Sequence, residues 1–356
     1  MKSANILAAA AVSALLAACS QPQTPDDTSA PAPETDTEPR VVNVYSARHY
    51  RSDAAVYEAF TQATGIEINL IEANGDQLIE RVRADGARSP ADVIVTVDAA
   101  RLHRAEEAGL FAQTEFSEFV PAVPANLVDP DGYWIGFAKR ARVIAYSSSR
   151  VQPGEIETYE DLADPRWDDR ICVRQSGNAY NQSLLASIVA RLGEDEAEAW
   201  AAGIVDNMAR PPQGGDIAQI QGVAAGDCDV AITNHYYYAL MANSGEAANR
   251  AAAGAVTLFF PNQDSSGAHV NISGAGIAAN APHPEEAREF IAFLLTPDAQ
   301  RMFAEMTNEI PVVEGVEWDN PTLEAMMPFT GDSRNVSELG DHNATAQRIF
   351  DRVGWQ

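Results

Sequence analysis

Strands alternating with helices, interrupted by two long extended stretches, predict a two-lobed α/β protein hinged like a clamshell. From residue 41 the alternation is regular: 41–45 reads as a strand, and 53–64 as a helix with Ala55, Val56, Ala59 and Phe60 on its apolar side. Residues 66–70 alternate with period two, 77–83 are helical, 91–97 form a buried-strand run, and 99–108 make a helix closed by Gly109. Such spacing implies parallel pairing with helices on both faces. Residues 134–148 then run largely extended and carry the chain out, and 269–277 bring it back. Helical segments 284–295 and 297–306 follow. The expected lobes are 41–137 with 271–356, and 138–270. A chain running to residue 356 exceeds the roughly 250–300 residues at which single cores stop growing.

Residues 1–18 read as a leader rather than structure. Lys2 supplies a positive start, and the apolar run from Ile6 is too short to span a bilayer comfortably. It ends Leu16-Ala17-Ala18-Cys19, which resembles a lipobox with cleavage before Cys19 and a lipid on its sulfur. Residues 20–39 contain five prolines, five acidic residues and no Val, Ile, Leu or aromatic residue. Such a stretch buries nothing, so 19–40 is expected to be a solvated acidic tether. The mature chain would hang from a membrane by lipid, in the cell envelope or periplasm.

With Cys19 lipidated, Cys172 and Cys228 remain. In an oxidising compartment the pair is expected to form a disulfide, with two buried thiols as the alternative. The formal net charge of −27 argues against nucleic acid, which needs Lys and Arg on its phosphates, and against anionic lipid surfaces. A monomer is expected.

The densest chemistry is His235-Tyr236-Tyr237-Tyr238, directly after the apolar run 229–234. Strand ends are where open α/β folds bind ligands. Phenolate oxygen is a hard anionic donor suited to a hard cation such as ferric iron. Tyr50 beside His49 follows the first strand, and Tyr180 stands at a helix start near Asn181, where backbone amides favour negative charge. These groups are expected to meet around one Fe(III). Tyr238 points away from at least one neighbour, so two of the three consecutive tyrosines ligate and one packs. An aromatic box for a cationic organic solute such as a polyamine is the alternative. The chain has no Gly-x-Ser-x-Gly elbow, phosphate-binding glycine loop, His-Glu-x-x-His or Cys-x-x-Cys, which counts against an enzyme.

Several segments resemble the periplasmic ferric-iron-binding proteins of ABC iron transporters, and most of all their cyanobacterial iron-uptake branch. They include Tyr45-Ser46-Ala47-Arg48-His49-Tyr50, Lys139-Arg140-Ala141-Arg142-Val143, Tyr180-Asn181-Gln182-Ser183-Leu184 and the run from Asn234 to Tyr238. The resemblance covers almost everything from Val41 onward. It implies the class II periplasmic binding protein fold, with a hinge and an interlobe cleft. It also implies transported Fe(III), a synergistic anion such as carbonate, and a permease with its ATPase as partners. Its ligand positions fall on Tyr50, Tyr180, Tyr236 and Tyr237, with His49 as a fifth. His235 stands where relatives usually carry a small residue such as Thr. No Arg or Lys lies between His235 and Asn249, so an arginine from elsewhere, Arg48 or Arg140, is expected to back the ligands.

Overall fold

The computed structural model describes residues 39–356 apart from His49, Arg51 and Ala122. The leader, Cys19, the tether through Glu38 and the candidate ligand His49 therefore lie outside the described residues. The alternation appears as β1 (Val41–Ser46), α1 (Asp53–Thr64), β2 (Glu67–Glu72), α2 (Gly75–Asp85), β3 (Val93–Thr96) and α3 (Ala99–Glu107). Helix ends have local causes. Gly65 closes α1 in the left-handed region at φ 72°, and the Asn74 side chain caps α2 by accepting the Asp76 N–H.

The outward crossing is β4 (Ile135–Tyr146). Beyond it come β5 (Ile171–Cys172), α4 (Ala179–Leu192), α5 (Glu194–Asp206), α6 (Asp216–Ala225), β6 (Val230–Asn234), α7 (His235–Ala242), α8 (Ala247–Gly254) and β7 (Thr257–Phe259). The return is β8 (Val270–Ile277), followed by α9 (Pro284–Leu294), α10 (Pro297–Met302), a π-helical turn (Phe303–Thr307) and β9 (Ile310–Pro311). The chain ends in the short α11 (Pro321–Glu324) and α12 (Glu338–Asp341), then α13 (Asn343–Val353).

The sheet runs β2-β1-β3-β8-β4-β6-β5, with β7 and β9 added to β4. Parallel pairing holds for β1 with β2 and β3, and for β5 with β6. The crossing strands are antiparallel to their neighbours, because a chain that leaves on β4 and returns on β8 must reverse. Residues 135–141 of β4 pair with β8, and 142–146 pair with β6, so one strand serves both sides of the molecule.

Two main cores flank that strand. Val44, Phe60, Ile94, Leu102, Phe137 and Phe290 belong to the first. Ile144, Trp167, Leu185, Trp200, Ile232 and Phe350 belong to the second, with a smaller cluster around Cys172, Ala231 and Met241. The C-terminal segment departs from the expected boundary. Ala346, Ile349 and Phe350 form an i, i+3, i+4 stripe on α13 that packs on α4 and α5, and Trp355 joins them. Residues 343–356 are thus part of the second core rather than the first. Helix α4 also begins two residues earlier than expected, at Ala179, because the Asn178 side chain accepts the Tyr180 N–H at 3.2 Å.

No helix among the described residues is long and apolar enough to cross a membrane. Cys172 on β5 and Cys228 just before β6 lie with Cα atoms 5.8 Å apart, and their sulfurs are joined across a sequence separation of 56 residues. Closing a loop of that length restricts the unfolded chain. Replacing both cysteines by serine is therefore expected to lower unfolding free energy by about 2–4 kcal/mol, read from urea unfolding midpoints.

Candidate metal centre

Three chain segments from the two sides of the molecule bring tyrosines to one point. Tyr50 follows β1, Tyr180 sits in the first turn of α4, and Tyr236 and Tyr237 lie in the first turn of α7. The Tyr50 O–H donates to the Tyr236 hydroxyl at 3.3 Å, and the Tyr236 O–H donates to the Tyr180 hydroxyl at 3.2 Å. The rings of Tyr236 and Tyr237 lie 4.3 Å apart at 35°, while Tyr50 meets Tyr236 edge-on at 6.1 Å. Asn234, the last residue of β6, reaches the Tyr236 hydroxyl at 3.5 Å. Tyr237 and Tyr238 both also pack against the small cluster that contains Val223, Ala231 and Met241. Among the described residues, no group of three or more His, Cys, Asp or Glu side chains is arranged to hold a metal.

Tyr50, Tyr236 and Tyr237 are held neutral. Burial pushes the Tyr50 pKa well above its ordinary value, reinforced by Tyr180 and Glu309 and only partly opposed by Arg140 and Arg48. Burial likewise raises Tyr236, together with Tyr180, Tyr50 and Tyr237. Tyr237 is raised by burial, Tyr180 and Asp216. A phenolate in this crevice therefore needs a cation beside it.

Three buried guanidiniums, Arg48, Arg140 and Arg142, and the half-buried Arg174 form the floor. The Arg48 guanidinium lies 4.7 Å from the Tyr50 ring centroid. Arg140, Arg142 and Arg174 approach the Tyr180 ring to 5.4, 5.9 and 5.7 Å. Arg140 and Arg142 share a face because they are two residues apart on β4. Three carboxylates, Asp53, Glu309 and Asp216, face these four cations. Arg48 holds Asp53 through two bonds of 2.8 and 2.9 Å and Glu309 through bonds of 2.9 and 3.2 Å. Arg140 donates to the Ile272 carbonyl at 2.8 Å and to Ser273 at 3.1 Å. Arg142 and Arg174 share Asp216, and Arg142 also donates to Asn181 at 2.8 Å. The Arg140 Nε is buried without a partner.

The sequence reading anticipated Arg48 and Arg140 but missed Arg142, Arg174, Asp216 and Glu309. A period-two reading of Arg140 and Arg142 within the crossing strand would have found the second guanidinium. Nothing local marks Glu309, which arrives from 261 residues away in sequence. His235 was noticed only as a departure from relatives. Its ring is fully buried, with Nδ1 accepting the Ala141 N–H at 3.2 Å and Nε2 meeting the Asn308 carbonyl at 2.9 Å. Burial pushes its pKa down to about 4, so the ring is neutral and Nε2 carries the proton.

Burial alone would raise the carboxyl of Glu309, but Arg48 and Arg140 outweigh it and hold its pKa below the ordinary range. Asp216 is lowered in the same way by Arg142 and Arg174. A depressed carboxylate contributes stability that is complete above its unfolded pKa, about 4, and is lost as pH falls through its lower folded value. Urea midpoints of the iron-free protein are expected to fall as pH drops below about 4. Glu309→Gln, which cannot titrate, should flatten that fall.

Comparison with known proteins assigns this architecture. Residues 88–334 match the family model described as bacterial extracellular solute-binding protein. Iron uptake protein A1 of Synechocystis is 45% identical over 344 residues, covering 97% of this chain and 94% of its own length. Iron uptake protein A2 of the same organism is 49% identical over 319 residues, covering 89% and 90%. The solved structure of a Trichodesmium FutA protein in complex with iron and citrate superposes with a TM-score of 0.85 at 50% identity, covering 89% of this chain and all of that one. The fold is that of the two-lobed periplasmic binding proteins, and the relatives are binding proteins rather than enzymes. The chain belongs to the bacterial extracellular solute-binding protein family, on its ferric-iron-binding, iron-uptake branch.

Proposed function

We propose that this protein captures Fe(III) between its lobes through the phenolates of Tyr50, Tyr180, Tyr236 and Tyr237, and hands it to an ABC permease driven by an ATPase. The observation that carries the reading is the hydroxyl chain Tyr50–Tyr236–Tyr180, which spans the two cores at 3.2–3.3 Å per step. Hydroxyls packed that closely while neutral become a cage of hard donors once their protons leave. Charge favours the same conclusion. Arg48, Arg140, Arg142 and Arg174 outnumber their carboxylate partners Asp53, Glu309 and Asp216 by one. Four phenolates around a trivalent ion carry one net negative charge, which that surplus guanidinium balances. A cationic organic solute, by contrast, would be pushed against buried guanidiniums, so a polyamine fits poorly.

Residues 41–137 with 271–342 form the first lobe in this reading, and 138–270 with 343–356 form the second. Closure brings Tyr50 from one to the three tyrosines of the other. His49 or an anion such as carbonate completes the coordination sphere. The monomer is tethered by a lipid on Cys19, with the acidic segment after it giving the lobes reach to the permease.

Phenolate-to-iron charge transfer colours such a centre. The purified protein loaded with ferric citrate is expected to turn red to orange, and the double variant Tyr236→Phe, Tyr237→Phe to stay colourless with an unchanged far-UV circular dichroism spectrum. A wild-type protein that binds iron without a visible band contradicts the ligand set. Because Tyr50, Tyr236 and Tyr237 are all raised above their ordinary pKa, each must lose a proton to the metal. At least three protons per iron should appear in a pH-stat titration. Apparent affinity should then fall by about a thousandfold per unit of acidification, since each released proton contributes a factor of about ten.

A further inference from the structure

We propose that His235 is a positioning residue for the metal centre: one imidazole ties the tandem-tyrosine helix to the turn that anchors Arg48 and Arg140 in the arginine floor. The inference rests on the ferric reading above and extends it to a residue outside the ligand set. His235 is the first residue of α7, and that helix starts without a side-chain cap. Its ring takes over the task of fixing the first turn. On one side Nδ1 accepts the Ala141 N–H of the crossing strand at 3.2 Å. On the other, Nε2–H donates to the Asn308 carbonyl at 2.9 Å. The ring also meets Tyr236 edge-on, with centroids 5.9 Å apart and planes at 89°.

The Asn308 end makes this contact more than local packing. Asn308 ends the π-helical turn Phe303–Thr307, stands in the left-handed region at φ 56°, and accepts a bond from Asn320 through its side chain at 2.8 Å. Its carbonyl is therefore held in one direction. The next residue is Glu309, which grips Arg48 beneath Tyr50 and lies 3.6 Å from Arg140 beneath Tyr180. Phe303 packs in the first core, whereas β6 leads into α7 from the second. The bond from Nε2 to Asn308 thus joins Tyr236 and Tyr237, from one core, to the cation support of Tyr50 and Tyr180 anchored by the other. A side chain with the reach of Thr cannot make that span.

Two conservative variants separate the two bonds. Glutamine places its amide nitrogen near the imidazole Nε2 and keeps the donor to Asn308, losing the acceptor for Ala141. Asparagine places its oxygen near Nδ1 and keeps the acceptor for Ala141, losing Asn308. Each removes one buried hydrogen bond, so the iron-free proteins should melt within a few degrees of one another. Iron retention should split them. His235→Asn is expected to lose ferric iron to excess citrate about tenfold faster than wild type, equivalent to about 1.4 kcal/mol, with a shifted charge-transfer band. His235→Gln should stay within about threefold of wild type, or about 0.65 kcal/mol, with the band in place.

Asparagine retaining iron like wild type, or both variants losing it equally fast, overturns the proposal. So does a variant that unfolds without iron, because the ring is then simply core. A wild-type protein with no charge-transfer band on ferric loading overturns the parent reading instead, and that result appears before any variant is compared.

Discussion

Burying three guanidiniums, Arg48, Arg140 and Arg142, with the half-buried Arg174 beside them, under a ring of phenols is the constraint on which the rest of the site depends. A neutral tyrosine packs in a protein interior at little cost, and burial makes it hold its proton more tightly. The same group becomes a strong hard-metal donor only when a highly charged cation displaces that proton. Arginines pre-placed beneath the rings make the exchange feasible, yet an arginine cannot be buried alone. Asp53, Glu309 and Asp216 answer that need, each drawn from a different part of the chain. The charges of the crevice are therefore prepared by the protein itself.

The crossing strand makes the preparation mechanical as well as electrostatic. Alternate residues of β4 face opposite ways, so Arg140 and Arg142 point to the tyrosines while Lys139 points away. The strand pairs with β8 in its first half and β6 in its second, which makes it a connection shared by the two cores. Asp98 adds a further buried link between them. Its carboxylate accepts from Ser183 on α4 at 2.6 Å and from Asn271 on β8 at 2.8 Å. The helix that carries Tyr180 is thus tied to the return strand and to the start of α3.

Much of this was readable in the primary structure, for physical reasons that also mark the boundary. The first half of the fold announces itself through period-two and period-3.6 patterning, as in residues 41–45 and 53–64. The two crossings stand out because long extended runs are uncommon in an alternating chain. The tyrosines were visible because consecutive phenols at a strand end are a poor way to fill a core. Residues 343–356 were misplaced because an apolar stripe declares that a helix is buried without saying against which core. Glu309 and Asp216 were missed for a related reason: their roles exist only through arginines distant in sequence. The hydrogen bonds of His235 could not be read either, since its two ring nitrogens find partners on β4 and on a turn late in the chain.

Anomalous diffraction at the iron absorption edge, on crystals of the protein loaded with ferric citrate, tests the central claim most directly. The account predicts a single strong peak within bonding distance of the hydroxyl oxygens of Tyr50, Tyr180, Tyr236 and Tyr237. A peak elsewhere on the molecule, or one bonded to tyrosines of only one lobe in a fully closed protein, would contradict it.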